Sequence, residues 1–83
     1  MKEVTIYTTR LCPFCYKAKS LLNKLEVSFN EISIDLNPKL KEEMVAKAGK
    51  TSVPQIWIGD SHIGGCDDLY AMHYAGALSE ALS

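Results

Sequence analysis

At 83 residues, 47% hydrophobic and 23% charged, the chain carries enough apolar material for one compact domain over residues 1–83 and has no room for a second. A formal charge of -1 with no run of like charges excludes a general electrostatic attraction to nucleic acid or to an anionic membrane, and no apolar stretch is long enough to span one. Three cysteines, two of them close together, do not make the disulfide framework of a small secreted domain. With no apolar leader in Met1 to Thr9, the expectation is a cytoplasmic protein whose close cysteine pair is catalytic or metal-binding.

Glu3 to Thr8 alternates Val4 and Ile6 against Thr5 and Tyr7, which predicts a short strand. Leu11 leads into Cys12-Pro13-Phe14-Cys15. From there Phe14, Ala18, Leu21, Leu22 and Leu25 recur at helical spacing, and Pro13 suits a first turn that needs no amide hydrogen. Val27 to Asp35 reads as a second strand, ended by Asn37-Pro38, an N-cap followed by a first helical residue. The next helix turns Leu40, Met44, Val45 and Ala48 inward and stops at Gly49.

Ser52-Val53-Pro54 precedes Gln55 to Ile58, and Gly59-Asp60 turns the chain into Ser61 to Ile63, giving a hairpin that ends at Gly64-Gly65. Asp67 or Asp68 then caps a last helix with Leu69, Met72, Gly76 and Leu78 inward, weakened by Gly76. The order β-α-β-α-β-β-α is a parallel βαβ unit followed by an antiparallel hairpin. The expected fold class is α/β, a mixed four-stranded sheet flanked by three helices.

The cysteine pair sits at a strand-to-helix junction. Unpaired amide hydrogens and the positive end of the helix dipole favour negative charge there, and only a thiolate attacks a disulfide. Cys12 is therefore the expected nucleophile, with Arg10, Lys17 and Lys19 near it in sequence. Cys15, about one turn further on, is the expected resolving thiol. A structural zinc site would need two further ligands from Cys66, His62 and His73, none of which forms a second ligand pair in the sequence, so no metal is expected.

Three separated segments, Cys12-Pro13-Phe14-Cys15, Thr51-Ser52-Val53-Pro54-Gln55 and Gly64-Gly65-Cys66-Asp67-Asp68, resemble the glutaredoxins, in particular the short dithiol members of bacterial type. The resemblance implies the thioredoxin fold and a glutathione-dependent thiol-disulfide oxidoreductase serving cell redox homeostasis. Glutathione would be its co-substrate, and no cofactor would be tightly bound. It implies a cis bond at Val53-Pro54, with the backbone of Val53 pairing with the cysteinyl part of glutathione. It further implies that the amides of Cys66 and Asp67 hold the γ-glutamyl carboxylate, while Asp67 or Asp68 meets the ammonium group.

For the glycyl carboxylate the nearest cations are Arg10, Lys47 and Lys50; the family often places a lysine shortly before its dithiol, where this chain has Thr9 and Arg10. Phe14 stands where the family commonly has tyrosine and keeps the aromatic wall. The implied glutathione set is thus Arg10, Phe14, Lys50, Ser52, Val53, Pro54, Gly65, Cys66, Asp67 and Asp68. The implied partners are glutathionylated or disulfide-containing proteins, ribonucleotide reductase among the candidates, met by a monomer.

Two other readings compete: a thioredoxin-like donor recharged by a flavoprotein reductase, and an iron-sulfur module sharing a cluster between two monomers through Cys12 and glutathione. The glutathione segments argue against the first and Pro13 against the second. Cys66 is expected to be a small semi-buried residue whose helix-start position raises its reactivity. Trp57, Phe29, Met44 and Met72 are expected in or beside the core, Tyr70 against Tyr74, and Tyr7 in the core or flanking the dithiol. His62 and His73 carry no assigned chemistry.

Overall fold

The computed structural model describes residues 1–83. Its elements run β1 (Val4–Thr8), α1 (Pro13–Lys24), β2 (Asn30–Ser33), α2 (Pro38–Ala48), β3 (Gln55–Ile58), β4 (Ser61–Gly64), α3 (Cys66–Tyr74) and α4 (Leu78–Leu82). The four strands form one mixed sheet in the order β2-β1-β3-β4, with β1 parallel to β2 and antiparallel to β3, and β3 antiparallel to β4. This is the expected α/β arrangement.

Strand alternation divides the core between two faces. Val4 and Ile6 of β1 and Ile56 and Ile58 of β3 point to one side, where they meet Ala18, Leu21 and Leu22 of α1, Leu69 of α3 and Leu78 and Leu82 of α4. Tyr7 and Trp57 point to the other side, against Met44 of α2 and Ile34. Central strands covered on both faces read as nearly continuous apolar runs, which is why all of β3 is buried. Each fully buried Ile or Leu contributes about 2 kcal/mol relative to exposure. Tyr7 is thus a core residue, edge-on to Trp57 at 5.3 Å between ring centroids, and does not flank the dithiol.

The helix starts follow their sequence signals. Cys12 caps α1 with Pro13 in its first turn, and Asn37 Oδ1 accepts the Leu40 amide hydrogen at 3.2 Å to cap α2. Gly49 ends α2 in the left-handed conformation, φ 71°.

Three boundaries differ from the sequence reading. β2 is only Asn30–Ser33, not Val27 to Asp35, because Glu26 turns left-handed at φ 58° and the Val27 amide still bonds Leu22 O, so the chain is wrapping the end of α1 at that point. The last helix is two helices, giving four in all. Gly76, with φ 74°, lets the amides of Gly76 and Ala77 turn back to His73 O and Met72 O, and it is exposed rather than inward. The cap of α3 is Gly65, not Asp67 or Asp68; Asp68 reaches back from the first turn to accept the Gly65 amide hydrogen at 2.9 Å.

Candidate functional site

The parallel β1-α1-β2 unit delivers Cys12 to the start of α1, beyond the end of a central strand. Its backbone is extended, φ -128° and ψ 103°, so the side chain folds back over the first turn. Cys12 Sγ accepts the Cys15 amide hydrogen at 3.2 Å, while Cys12 O accepts from the amides of Cys15 and Tyr16.

Opposite the sulfur lies the turn before β3, in which the Val53-Pro54 bond is cis and Val53 O accepts from Cys12 Sγ at 3.7 Å. Beyond that turn opens a shallow cleft. It is lined by Phe14 of α1, by Lys50 and Ser52 to Gln55 around the cis bond, and by Gly65 to Asp68 at the start of α3. Nine of the ten residues implied for glutathione line it: Phe14, Lys50, Ser52, Val53, Pro54, Gly65, Cys66, Asp67 and Asp68.

Arg10 is not brought to the cleft. Its backbone amide donates to Asp35 Oδ2 at 2.8 Å, and its guanidinium lies 3.8 Å from the same carboxylate with the side chain 83% exposed. The other cations near the dithiol are similarly engaged. Lys19 pairs with Glu31 at 2.8 Å, and Lys17 lies over the Tyr70 ring at 5.0 Å. The Lys19 hydrogen bond, joined by that of Thr8, holds the Glu31 carboxyl below its usual range, and the Glu31 bond holds Lys19 above its own. Lys47 lines a separate hollow beside Tyr7 and Trp57, so Lys50 is the cation that remains at the cleft.

The two cysteines of the dithiol have different surroundings. Cys12 retains an edge of exposure, whereas Cys15 has none. Burial, reinforced by the hydrogen bond with Cys12, pushes the Cys15 thiol up to about 12. Burial also pushes the Cys66 thiol up, against the partial relief of Lys17. Cys66 is the small buried residue expected beside the cleft, but its helix-start position does not activate it, because its side chain joins the main core.

The groups that a zinc site would recruit do not converge. His62 bonds Gln55 and stacks on Trp57, and His73 packs on Tyr74. Tyr70 and Tyr74 lie 6.0 Å apart between ring centroids, packed on one another as expected.

Gln55 is the cleft residue that sequence reasoning passed over. One signal for it exists, since a polar residue heading an otherwise apolar buried strand must have partners.

The family model for glutaredoxin matches residues 4–63. A glutaredoxin of Pseudomonas aeruginosa is 54% identical over 83 residues, covering 100% of this chain and 99% of its own length. Among solved structures, the solution structure of glutaredoxin from Brucella melitensis superposes with a TM-score of 0.87 at 46% identity, covering 99% of this chain and 89% of that one. A buckwheat glutaredoxin in complex with glutathione superposes with a TM-score of 0.88 at 27% identity, covering 95% of this chain and 74% of that one.

Proposed function

The chain belongs to the glutaredoxin family and is a glutathione-dependent thiol-disulfide oxidoreductase with the thioredoxin fold; from that premise we propose that it reduces protein-glutathione mixed disulfides, and some protein disulfides, through Cys12 and Cys15. The observation that carries this reading is the placement of the Cys12 sulfur 3.7 Å from Val53 O, beside a cleft whose lining offers the backbone of Val53, a helix start at Gly65 to Asp67 and a lysine at Lys50. Those three features match a tripeptide with a central thiol and a charged group at each end.

In the proposed cycle the Cys12 thiolate attacks the glutathione sulfur of a mixed disulfide. The substrate protein leaves as a thiolate and takes up a proton. A second glutathione, as thiolate, then attacks Cys12-linked glutathione, which releases glutathione disulfide and regenerates the Cys12 thiolate. With a protein disulfide, Cys15 instead resolves the intermediate and leaves a Cys12-Cys15 disulfide, which two glutathione molecules reduce. Phe14 walls the cleft. Val53 pairs its backbone with the cysteinyl unit, between Ser52 and Pro54, while Gly65 allows close approach. The amides of Cys66 and Asp67 take the γ-glutamyl carboxylate, and the acidic first turn, Asp67 with Asp68, takes the ammonium.

A reducing compartment such as the cytoplasm, in which all three cysteines stay free, suits this cycle, as does a monomer recharged by glutathione. Disulfide-bearing proteins, ribonucleotide reductase among them, are the partners it would serve. Steady-state reduction of a glutathionylated peptide tests the proposal directly. Turnover is expected with glutathione and glutathione reductase as electron source and not with thioredoxin reductase; turnover with thioredoxin reductase alone overturns it.

The reading also assigns the glycyl carboxylate to Lys50 rather than Arg10. Lys50→Ala is expected to raise the KM for glutathione about fivefold, the scale of one exposed charge pair, and to do so less at high salt. Arg10→Ala should leave that KM within about a factor of two, because Arg10 does not line the cleft and its exposed side chain lies toward Asp35. The reverse ranking would return the role to Arg10.

A further inference from the structure

We propose that Gln55 is a positioning residue for glutathione capture, holding the Ser52-Val53-Pro54 turn at its height opposite Cys12, and that His62 fixes Gln55 in turn. The proposal rests on the reading of Val53 as the backbone that pairs with glutathione.

Gln55 heads β3 and is 1% exposed. A primary amide in such surroundings costs free energy unless its donors and acceptor are matched. Its Nε2 donates to Ser52 O at 3.0 Å and to Ser52 Oγ at 3.3 Å, and its Oε1 meets His62 Nε2 at 2.7 Å. A carbonyl oxygen only accepts, so the His62 ring carries a hydrogen on Nε2 and donates. The polarity of the whole chain is then fixed. Turned over, the amide would set its NH2 against the ring donor and its oxygen against the Ser52 carbonyl.

The amide thereby closes a loop between its own strand and Ser52, and the two residues enclosed are Val53 and Pro54. Val53 O is the group that faces Cys12 Sγ. The donor at the far end is itself held, because the His62 ring lies on Trp57 at 4.7 Å and Trp57 meets Tyr7 edge-on in the buried aromatic cluster. β3, β4 and the core beneath α2 thus all bear on the position of one turn. The side chain of Gln55 makes no hydrogen bond to any other part of the fold, so its specific effect falls on that turn.

Two substitutions test this. Gln55→Glu keeps the shape and can still accept from His62, but it sets a carboxylate oxygen against the Ser52 carbonyl. His62→Phe keeps a ring on Trp57 at an exposed position and removes only the donor, so it decides the matter if the buried carboxylate prevents folding. The reduced protein is mixed with a glutathionylated peptide, and separately with hydroxyethyl disulfide, which has no peptide backbone to pair with Val53.

Gln55→Glu is expected to slow the reaction with the glutathionylated peptide about tenfold and His62→Phe about threefold, the effect of one lost or reversed hydrogen bond, with hydroxyethyl disulfide changed by less than about a factor of two. Equal losses with both reagents, or no loss with either, overturn the role of Gln55. A wild-type protein that does not prefer the glutathionylated peptide would instead overturn the glutathione reading of the cleft.

Discussion

Replacing Cys12 by serine is expected to reduce turnover of every disulfide substrate by more than about a thousandfold, whereas Cys15→Ser should retain reduction of a glutathionylated peptide and lose reduction of protein disulfides. The asymmetry follows from where the two sulfurs sit. Cys12 alone has an edge in solvent, an amide hydrogen aimed at its sulfur, and the Val53 turn across from it. Cys15 is enclosed, and with burial and its bond to Cys12 pushing it up to about 12 it stays a thiol through the neutral range. It cannot replace Cys12 as the attacking group.

The same surroundings suit it to the second step. Once the Cys12 sulfur is tied into a mixed disulfide, its hydrogen bond and its charge no longer raise the Cys15 value, which leaves burial opposed by the Thr9 backbone and Lys19. Because attack by Cys15 requires loss of its proton, the protein-disulfide reaction of the wild type should rise with pH into the alkaline range. The mixed-disulfide reaction of Cys15→Ser has no Cys15 step and should lack the part of the rise that depends on Cys15. Comparing kcat/KM for the two substrates across pH in both proteins checks this, and residual protein-disulfide turnover in Cys15→Ser equal to wild type would remove Cys15 from the cycle.

Much of this site is legible in the sequence because its parts are local. The strand before the dithiol, the proline in the first helical turn and the apolar spacing after it place Cys12 at a helix start without reference to any distant residue. The Asn37-Pro38 start and Gly49 stop of α2 are local as well. Some departures arise from a local turn that the residue types do not announce, and others where a residue far along the chain decides.

The shortening of β2 depends on how the chain leaves α1 at Glu26, a left-handed residue with no glycine to announce it. Arg10 looks free to bind an anion until Asp35, 25 positions later, is seen to hold its backbone and face its guanidinium. Cys66 looks activated by its helix until the main core closes over its sulfur. Gln55 and His62 find one another only through the pairing of β3 with β4. Polar contacts between distant positions leave no periodic trace, whereas apolar faces do.

The glycine pair between β4 and α3 gives the second large effect, and the two positions should separate, since only Gly65 lines the cleft. Gly64 has φ 117°, a region that L residues rarely enter, and a Cβ there would collide with the Asp68 carboxylate. Moving that carboxylate also removes the acceptor for the Gly65 amide at the start of α3. Backbone strain and loss of the cap together predict that Gly64→Ala destabilises the protein by about 2–4 kcal/mol.

Gly65 is different. Its φ of -96° is open to any residue, and a Cβ there would lie 3.4 Å from Pro54 O, an ordinary contact. Gly65→Ala should therefore fold with a loss of less than about 1 kcal/mol. The added methyl nevertheless stands between two residues that line the cleft, on the path a glutathione backbone would take past Pro54, so a rise of about tenfold in the KM for glutathione is expected from lost close approach. Urea denaturation and steady-state kinetics on both variants read the two effects separately. A stable Gly64→Ala would mean that Asp68 moves aside at no cost, and an unchanged KM in Gly65→Ala would place glutathione away from the α3 start.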